Sequence, residues 1–336
     1  MAPAGDALSV EFCGLSLAHP LINGSGTFDA IAAHRVFGDA LHSAFPFSAF
    51  VSKTITLSPR AGNPPPRLWE AQAGLVNSIG LPNKGLERYL SEDLPALAEL
   101  PAPLITNVMG STAEEITELL RACDAREEIA AVELNVSCPN VHTGLDIGAD
   151  PIILERVLRS VRPALRKPLI VKLTPNCADV AECAWAAQEG GANAVSLINT
   201  LRATALAPGD TQPRSATHPP SGTRPHGGTS HGGTSHEGAS SHEGASPHEG
   251  ASPALWLGGG GGGLSGAAVR AVALAQVASV ARRVSIPVVG MGGVQSAVHA
   301  RQLLDVGARL VAVGTESFRD PKLAARIASE LEAGRA

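Results

Sequence analysis

The chain has 336 residues, 44% hydrophobic and 17% charged, with a formal net charge of −5, which allows one large core of the size common for single α/β barrels and offers no basic surface to nucleic acid or an anionic membrane. No apolar stretch is long enough to span a bilayer, and Met1–Val10 lacks a basic segment followed by an apolar one. The five cysteines (13, 123, 138, 177 and 183) show no CxxC spacing and read as reduced thiols, so a cytoplasmic protein is expected.

Short apolar, β-rich runs recur in chain order: Leu21–Gly26, Ala49–Thr54, Leu104–Val108, Ala131–Ser137, Leu169–Thr174, Ala194–Thr200, Pro287–Gly292 and Leu310–Gly314. Amphipathic helical patterns lie between most of them. Thr112–Arg126 opens on Ser111 or Thr112 as a cap, with Glu114 and Glu115 in its first turn. Pro151–Leu165 follows Asp150, a cap placed ahead of a proline at the first helical position. Ala178–Gly190, Ser265–Arg283, Ser296–Leu304 and Asp320–Glu332 complete the set.

One segment breaks the alternation. Residues 208–253 are Gly, Ser, Thr, Pro and His with an imperfect HGGTS/HEGAS repeat. Such a stretch buries too little apolar surface to offset its ordering entropy, so a disordered insertion is expected between the sixth strand and the sixth helix. His218, His226, His231, His236, His242 and His248 lie in it. They could ligate a metal, but repeat expansion in a surface loop accounts for them more simply.

Eight strand runs alternating with helices indicate a parallel sheet with crossovers, and eight is the number that closes a (β/α)8 TIM barrel. A doubly wound open sheet would want a GxGxxG turn after the first strand, which Asn23-Gly24-Ser25-Gly26-Thr27 does not supply. The expectation is one α/β barrel domain over residues 1–336 carrying the insertion.

Barrel active sites lie at the C-terminal strand ends. Here those ends carry Ser25-Gly26, Lys53-Thr54, Asn107, Asn135 followed by Cys138, Lys172, Asn199-Thr200, Gly292-Gly293 and Gly314-Thr315. A lone strand-end Asn is ordinarily turn chemistry and a lone Cys a small buried hydrophobe, so the joint placement carries the weight. Glycines after strands seven and eight point to a phosphate-bearing ligand. Three amides match a planar ring with alternating donors and acceptors. Two lysines suit an anionic substrate or a cofactor that gains negative charge.

These segments resemble the class 1 dihydroorotate dehydrogenases, class 1B most closely, over nearly the whole chain outside the insertion. The resemblance rests on Asn23–Phe28, Lys53–Thr56, Gly62–Pro64 with Pro66-Arg67, Asn77–Asn83, Glu133–Val141, Val171–Asn176, Ile198–Thr200, Gly262–Gly266, Gly290–Gly293 and Val313–Thr315, in family order. It implies oxidation of dihydroorotate to orotate in pyrimidine biosynthesis, with hydride transfer to FMN. FMN would meet Ser25, Lys53, Thr54, Asn107, Asn135, Lys172, Ile198, Gly266, Gly292, Gly293, Gly314 and Thr315. The pyrimidine would meet Lys53, Asn77, Ser78, Ile79, Gly80, Leu81, Asn135, Asn199 and Thr200. Cys138 matches the catalytic base, on a loop that closes over the ligand, with Gly144 and Gly148 available as hinges.

The resemblance also implies a homodimer core. In class 1B that core pairs with a separate iron–sulfur flavoprotein subunit, as a heterotetramer, and passes electrons to NAD; class 1A homodimers use fumarate. This chain has neither an iron–sulfur cysteine cluster nor a dinucleotide fingerprint, so NAD has to be handled elsewhere. It departs from the family pattern at Leu201–Ala205 and in the unbroken run Gly258–Gly263, both beside the expected flavin site, where they could loosen flavin binding. The alternatives are a related flavin-dependent pyrimidine oxidoreductase and an inactive barrel with a metal-binding His-rich loop.

Overall fold

A computed structural model describes residues 8–136, 147–207 and 255–334. The 208–253 insertion, its six histidines and Cys138 lie outside the described residues.

The chain opens with an antiparallel hairpin, β1 (Val10–Phe12) and β2 (Leu15–Leu17), and enters the barrel at β3 (Leu21–Asn23). Helices α1 (Ala30–Phe37) and α2 (Asp39–Ser43) lead to the short stave β4 (Phe50–Val51). A second hairpin follows, β5 (Leu68–Ala71) and β6 (Gly74–Asn77). Helices α3 (Leu86–Arg88) and α4 (Leu94–Ala98), joined by a π-helical turn, come next.

The regular part then alternates: β7 (Leu104–Val108), α5 (Ala113–Asp124), β8 (Ile129–Asn135), α6 (Pro151–Val161), β9 (Leu169–Lys172), α7 (Val180–Glu189) and β10 (Ala194–Leu197). After β11 (Leu201–Ala203) and β12 (Gly262–Ser265) come α8 (Arg270–Arg283), β13 (Val288–Met291), α9 (Ala297–Asp305), β14 (Leu310–Val313) and α10 (Leu323–Ala333). Among the described residues no helix is long and apolar enough to cross a membrane.

All eight apolar runs become staves of one parallel sheet, in the order β3-β14-β13-β10-β9-β8-β7-β4. Their near-continuous apolar sequence follows from burial on both faces, by the barrel interior and by the helices outside. The helices start where their caps dictate. Thr112 accepts from Glu115 N–H, Asp150 from Ile152 and Ile153, and Asp179 from Ala181 and Glu182. Each such cap contributes about 1 kcal/mol.

The two ends of the sheet, β3 and β4, close differently. The Asn23 side chain takes the place of a backbone partner: Nδ2 donates to Val51 O (2.7 Å) and Oδ1 accepts from Val51 N–H (2.8 Å). One turn lower, Ser48 donates from both N and Oγ to Leu21 O, each at 3.0 Å. Asn23 is fully buried, so this amide seals the barrel in a place water does not reach.

The interior is layered. Phe12 and Leu17 of the first hairpin plug the bottom against Ile22, Val51, Ile105, Ile170, Val289 and Leu310. Above them lies a polar layer in which the Glu133 carboxylate accepts from Asn107 Nδ2 (2.6 Å) and Ser196 Oγ (2.7 Å). The larger core fills the space between staves and helices with leucines and valines such as Leu120, Leu134, Leu154, Leu158 and Val277.

A four-stranded antiparallel sheet, β11-β12-β6-β5, also forms, and it was not expected from the sequence. It alters one boundary. Ser265, expected to begin a helix, ends β12, and α8 starts only at Arg270. Beside this sheet the residues flanking 208–254 meet: Leu206 bridges Leu255, and Trp256 N–H donates to Ala205 O (2.8 Å).

Asn23→Ala tests the seam. It strips both partners from the Val51 backbone, and two buried unpaired groups at about 1–3 kcal/mol each predict a loss of about 2–6 kcal/mol. Urea unfolding measures it; a loss under about 1 kcal/mol would mean that the seam is held by something else.

Candidate active site

The C-terminal strand ends converge on a cavity of ≈ 400 Å³. That lies within the roughly 300–1,000 Å³ usual for cofactor and ligand sites. The seam sets the first wall. Ser25, in the loop after β3, donates from Oγ to Ser52 O (2.8 Å) and lies 3.4 Å from Thr54 Oγ1, which fixes that loop beside Lys53 and Thr54.

Lys53 faces the cavity. Loss of hydration holds its pKa below the usual lysine value; Asp29 pulls it up and Arg67 pushes it further down.

Asn135 and Lys172 face each other in register across β8 and β9, and both are buried in the cavity wall. Among the described residues the Lys172 ammonium has no carboxylate partner. A desolvated cation of this kind is a ready counter-charge for an anionic ligand group. Ile198, Asn199 and Thr200 continue the wall after β10. Asn176 braces that turn from behind, donating from Nδ2 to Thr200 O (2.9 Å).

At the other end stand two glycine loops. Gly292 and Gly293 follow β13 with φ of 135° and 70°, a backbone that a side chain would strain, while Gly314 and Thr315 follow β14. A Cβ added at Gly314 would meet only Thr27 Cγ2, at 3.8 Å, so the backbone there is open to a ligand. Thr315 Oγ1 is anchored on Ser265 Oγ (2.8 Å). Backbone N–H groups in such loops, ahead of a helix, make an anion site.

The antiparallel sheet contributes a further side. Asn77, Ile79, Gly80 and Leu81 line the cavity from β6 and the loop after it, and Gly266 from the end of β12. The sheet rests directly on the Asn199-Thr200 turn: a Cβ at Gly263 would stand 1.9 Å from Thr200 Oγ1. Glycine at 263 is therefore a packing requirement, and at Gly258 the same holds against Pro64 O at 2.1 Å. Gly258, Gly259, Gly262 and Gly263 of the unbroken run are thus held by close packing, while Gly260 and Gly261 are not.

Of the residues expected to bind, the described cavity gathers all but Asn107 and Ser78. Asn107 lies one layer below Asn135, where its Oδ1 is buried without a partner among the described residues. Ser78 is fully buried, its N–H on Arg67 O (2.8 Å) and its Oγ held by Asn63 Nδ2 (3.0 Å). Cys138 falls outside the described residues. The structure adds wall residues that the sequence did not single out: Leu68, Leu75, Leu264, Ser265, Val269, Gln295, Glu316 and Phe318. Leu264 and Ser265 lie within the Gly262–Gly266 segment, and the others had no sequence signal but proximity to such segments.

Comparisons with known proteins agree with this architecture. The model of the family described as "Dihydroorotate dehydrogenase" matches residues 7–230 and 250–334. The chain is 37% identical over 326 residues to a dihydroorotate dehydrogenase B (NAD(+)), catalytic subunit, of Geobacter sulfurreducens, covering 97% of this chain and 92% of that protein. It is 38% identical over 325 residues to a protein of the same description in Desulforudis audaxviator, covering 96% and 91%. It is 36% identical over 325 residues to a putative dihydroorotate dehydrogenase A (fumarate) of Solibacter usitatus, covering 96% and 92%. Two segments of the family's own model span nearly all of this barrel, so the chain belongs to the dihydroorotate dehydrogenase family.

Proposed function

We propose that the protein oxidises dihydroorotate to orotate on FMN held in the barrel mouth, within pyrimidine biosynthesis. The observation that carries this reading is one cavity with two glycine loops at one end and, in its wall, a buried lysine that has no carboxylate partner among the described residues.

The residues present fit an FMN. The Gly292-Gly293 and Gly314-Thr315 loops would hold its phosphate, and Ser25, Thr54, Asn135, Lys172, Ile198 and Gly266 would hold the rest. Asn107 Oδ1, the orphan acceptor beneath the cavity, calls for a donor that the described residues do not provide. When bound, FMN supplies the hydride acceptor for the substrate C6–H.

The chain's own groups do the remainder. Lys172 would hold positive charge where negative charge develops on reduction. Lys53 would hold the substrate carboxylate, and the amides of Asn77, Asn135 and Asn199 would orient the pyrimidine ring. We assign to the Cys138 thiolate the removal of the C5 proton; an isolated thiol titrates near ~8.5 and lower beside positive charge. The described chain supports it by leading there: β8 ends at Asn135, and Val136 follows it at the mouth. Gly148 N–H donates to Val136 O (3.1 Å).

For the electron acceptor we propose the class 1B arrangement, a homodimer core with a separate iron–sulfur flavoprotein subunit that passes electrons to NAD. Its support is the phrase "catalytic subunit" in the names of the relatives. A cytoplasmic setting goes with this reading. We further propose one domain with 208–253 as an insertion, supported by the meeting of its flanks at Leu206 and Leu255.

The test is anaerobic stopped-flow mixing of purified protein with dihydroorotate. The visible flavin band should bleach, and Cys138→Ala should bleach about 10²–10⁴-fold more slowly while retaining the flavin. Wild-type-like bleaching in Cys138→Ala would remove this residue from the mechanism, and a wild-type protein that never bleaches would remove the activity.

Lys53 gives a second test. Its folded-state pKa lies below the unfolded value, so the charged form is disfavoured in the fold. That stability is withheld below the folded pKa and recovered as pH rises toward the ordinary lysine range, near ~10.4. Lys53→Gln should therefore melt at or above the wild-type temperature at neutral pH when ligand-free, with the gap closing as pH rises. It should also lose orotate affinity. A variant that is less stable at every pH and binds orotate normally would contradict both assignments.

A further inference from the structure

The phosphate end of the cavity carries two side chains that the proposed reaction does not use. Gln295 lies between the Gly292-Gly293 loop and α9; Glu316 directly follows Thr315 after β14. Both line the cavity, and Gln295 Nε2 donates to Glu316 Oε2 at 3.0 Å. This hydrogen bond spans the two glycine loops after β13 and β14.

Each end of the span is fixed from behind. Gln295 N–H donates to His299 Nδ1 (3.2 Å), and Arg270 Nη1 reaches both that nitrogen (3.1 Å) and Gly293 O (3.3 Å). On the other side Glu316 O accepts from the N–H groups of Arg319 (3.0 Å) and Asp320 (2.9 Å). These contacts fix the two backbones, and the side chains are held across the gap by their bond to each other. No cation pairs with the Glu316 carboxylate among the described residues. A neutral amide is therefore its partner, and the pair forms a bar across the gap between the loops.

We propose that the Gln295–Glu316 bridge closes the phosphate end of the cavity and makes it selective for a flavin with a terminal phosphate monoester over one whose phosphate carries a further substituent. The inference rests on the flavin reading above. A monoester ends at the loops. A dinucleotide has to continue outward between them, where the bridge lies. Both loops are held by backbone contacts independent of the bridge, so removing the bridge should open the exit without removing the phosphate site.

The test uses flavin-stripped protein and reads dissociation constants for FMN, FAD and riboflavin by quenching of flavin fluorescence. The wild type should prefer FMN to FAD. Gln295→Ala and Glu316→Ala break the bridge from opposite sides, and both should lower the FMN-over-FAD ratio by roughly tenfold or more. Glu316→Gln keeps a side chain able to accept from Gln295 and should hold the ratio within about threefold of wild type. Ratios within about threefold of wild type in both alanine variants would overturn the closure. A fall in Glu316→Gln as large as in Glu316→Ala would also overturn it, because selection would then lie in the charge. A wild type that binds FMN without discriminating removes this inference alone. A wild type that binds no flavin removes the functional reading with it. Circular dichroism melts confirm that each variant is folded before its ratio is read.

Discussion

The barrel mouth depends on one buried amide. The β3–β4 seam carries no ordinary ladder, and Asn23 supplies in its side chain the donor and acceptor that the Val51 backbone needs. Because the seam is sealed there, the loop after β3 lies against the end of β4, and Ser25 hydrogen-bonds to Ser52 O beside Lys53 and Thr54. That contact joins the first wall of the cavity to the glycine loops after β13 and β14, which pair round the ring to β3. An open sheet would leave the same residues on opposite edges.

Above the apolar plug the barrel changes character over a single layer. Glu133 accepts from Asn107 and Ser196, and the next level up holds Asn135 and Lys172. A carboxylate can only accept, so it forces the Asn107 amide nitrogen toward itself and leaves Oδ1 as the orphan. Buried polar groups of this kind are costly unless a partner satisfies them. Asn107 lies beneath the cavity wall, and the closely packed antiparallel sheet at the cavity's side limits what can enter.

The eight staves were legible because each is an apolar run bounded by turn and cap residues, and the caps at Thr112, Asp150 and Asp179 mark where helices begin. The strand-end lysines and amides followed from the barrel rule. The antiparallel sheet was not legible, for physical reasons. Its strands are three or four residues long, β12 is half glycine, and β5 alternates exposed with half-buried positions too briefly to stand out. Gly263 looked like a loop glycine, and only the 1.9 Å approach of a would-be Cβ to Thr200 shows the contact that demands it. Gln295 and Glu316 carry no sequence signal beyond their closeness to the two glycine loops. They are ordinary surface residue types, and only the 3.0 Å bond between them, across 21 residues, sets them apart.

The central claim is that one cavity holds the flavin and the pyrimidine together. A crystal structure of the protein with orotate tests it most directly. The account predicts the flavin phosphate against Gly292-Gly293 and Gly314-Thr315, and the orotate carboxylate within hydrogen-bond distance of Lys53 Nζ, with the ring between Asn77 and Asn199. Orotate bound elsewhere on the barrel, or a flavin whose phosphate lies away from those two loops, would contradict it.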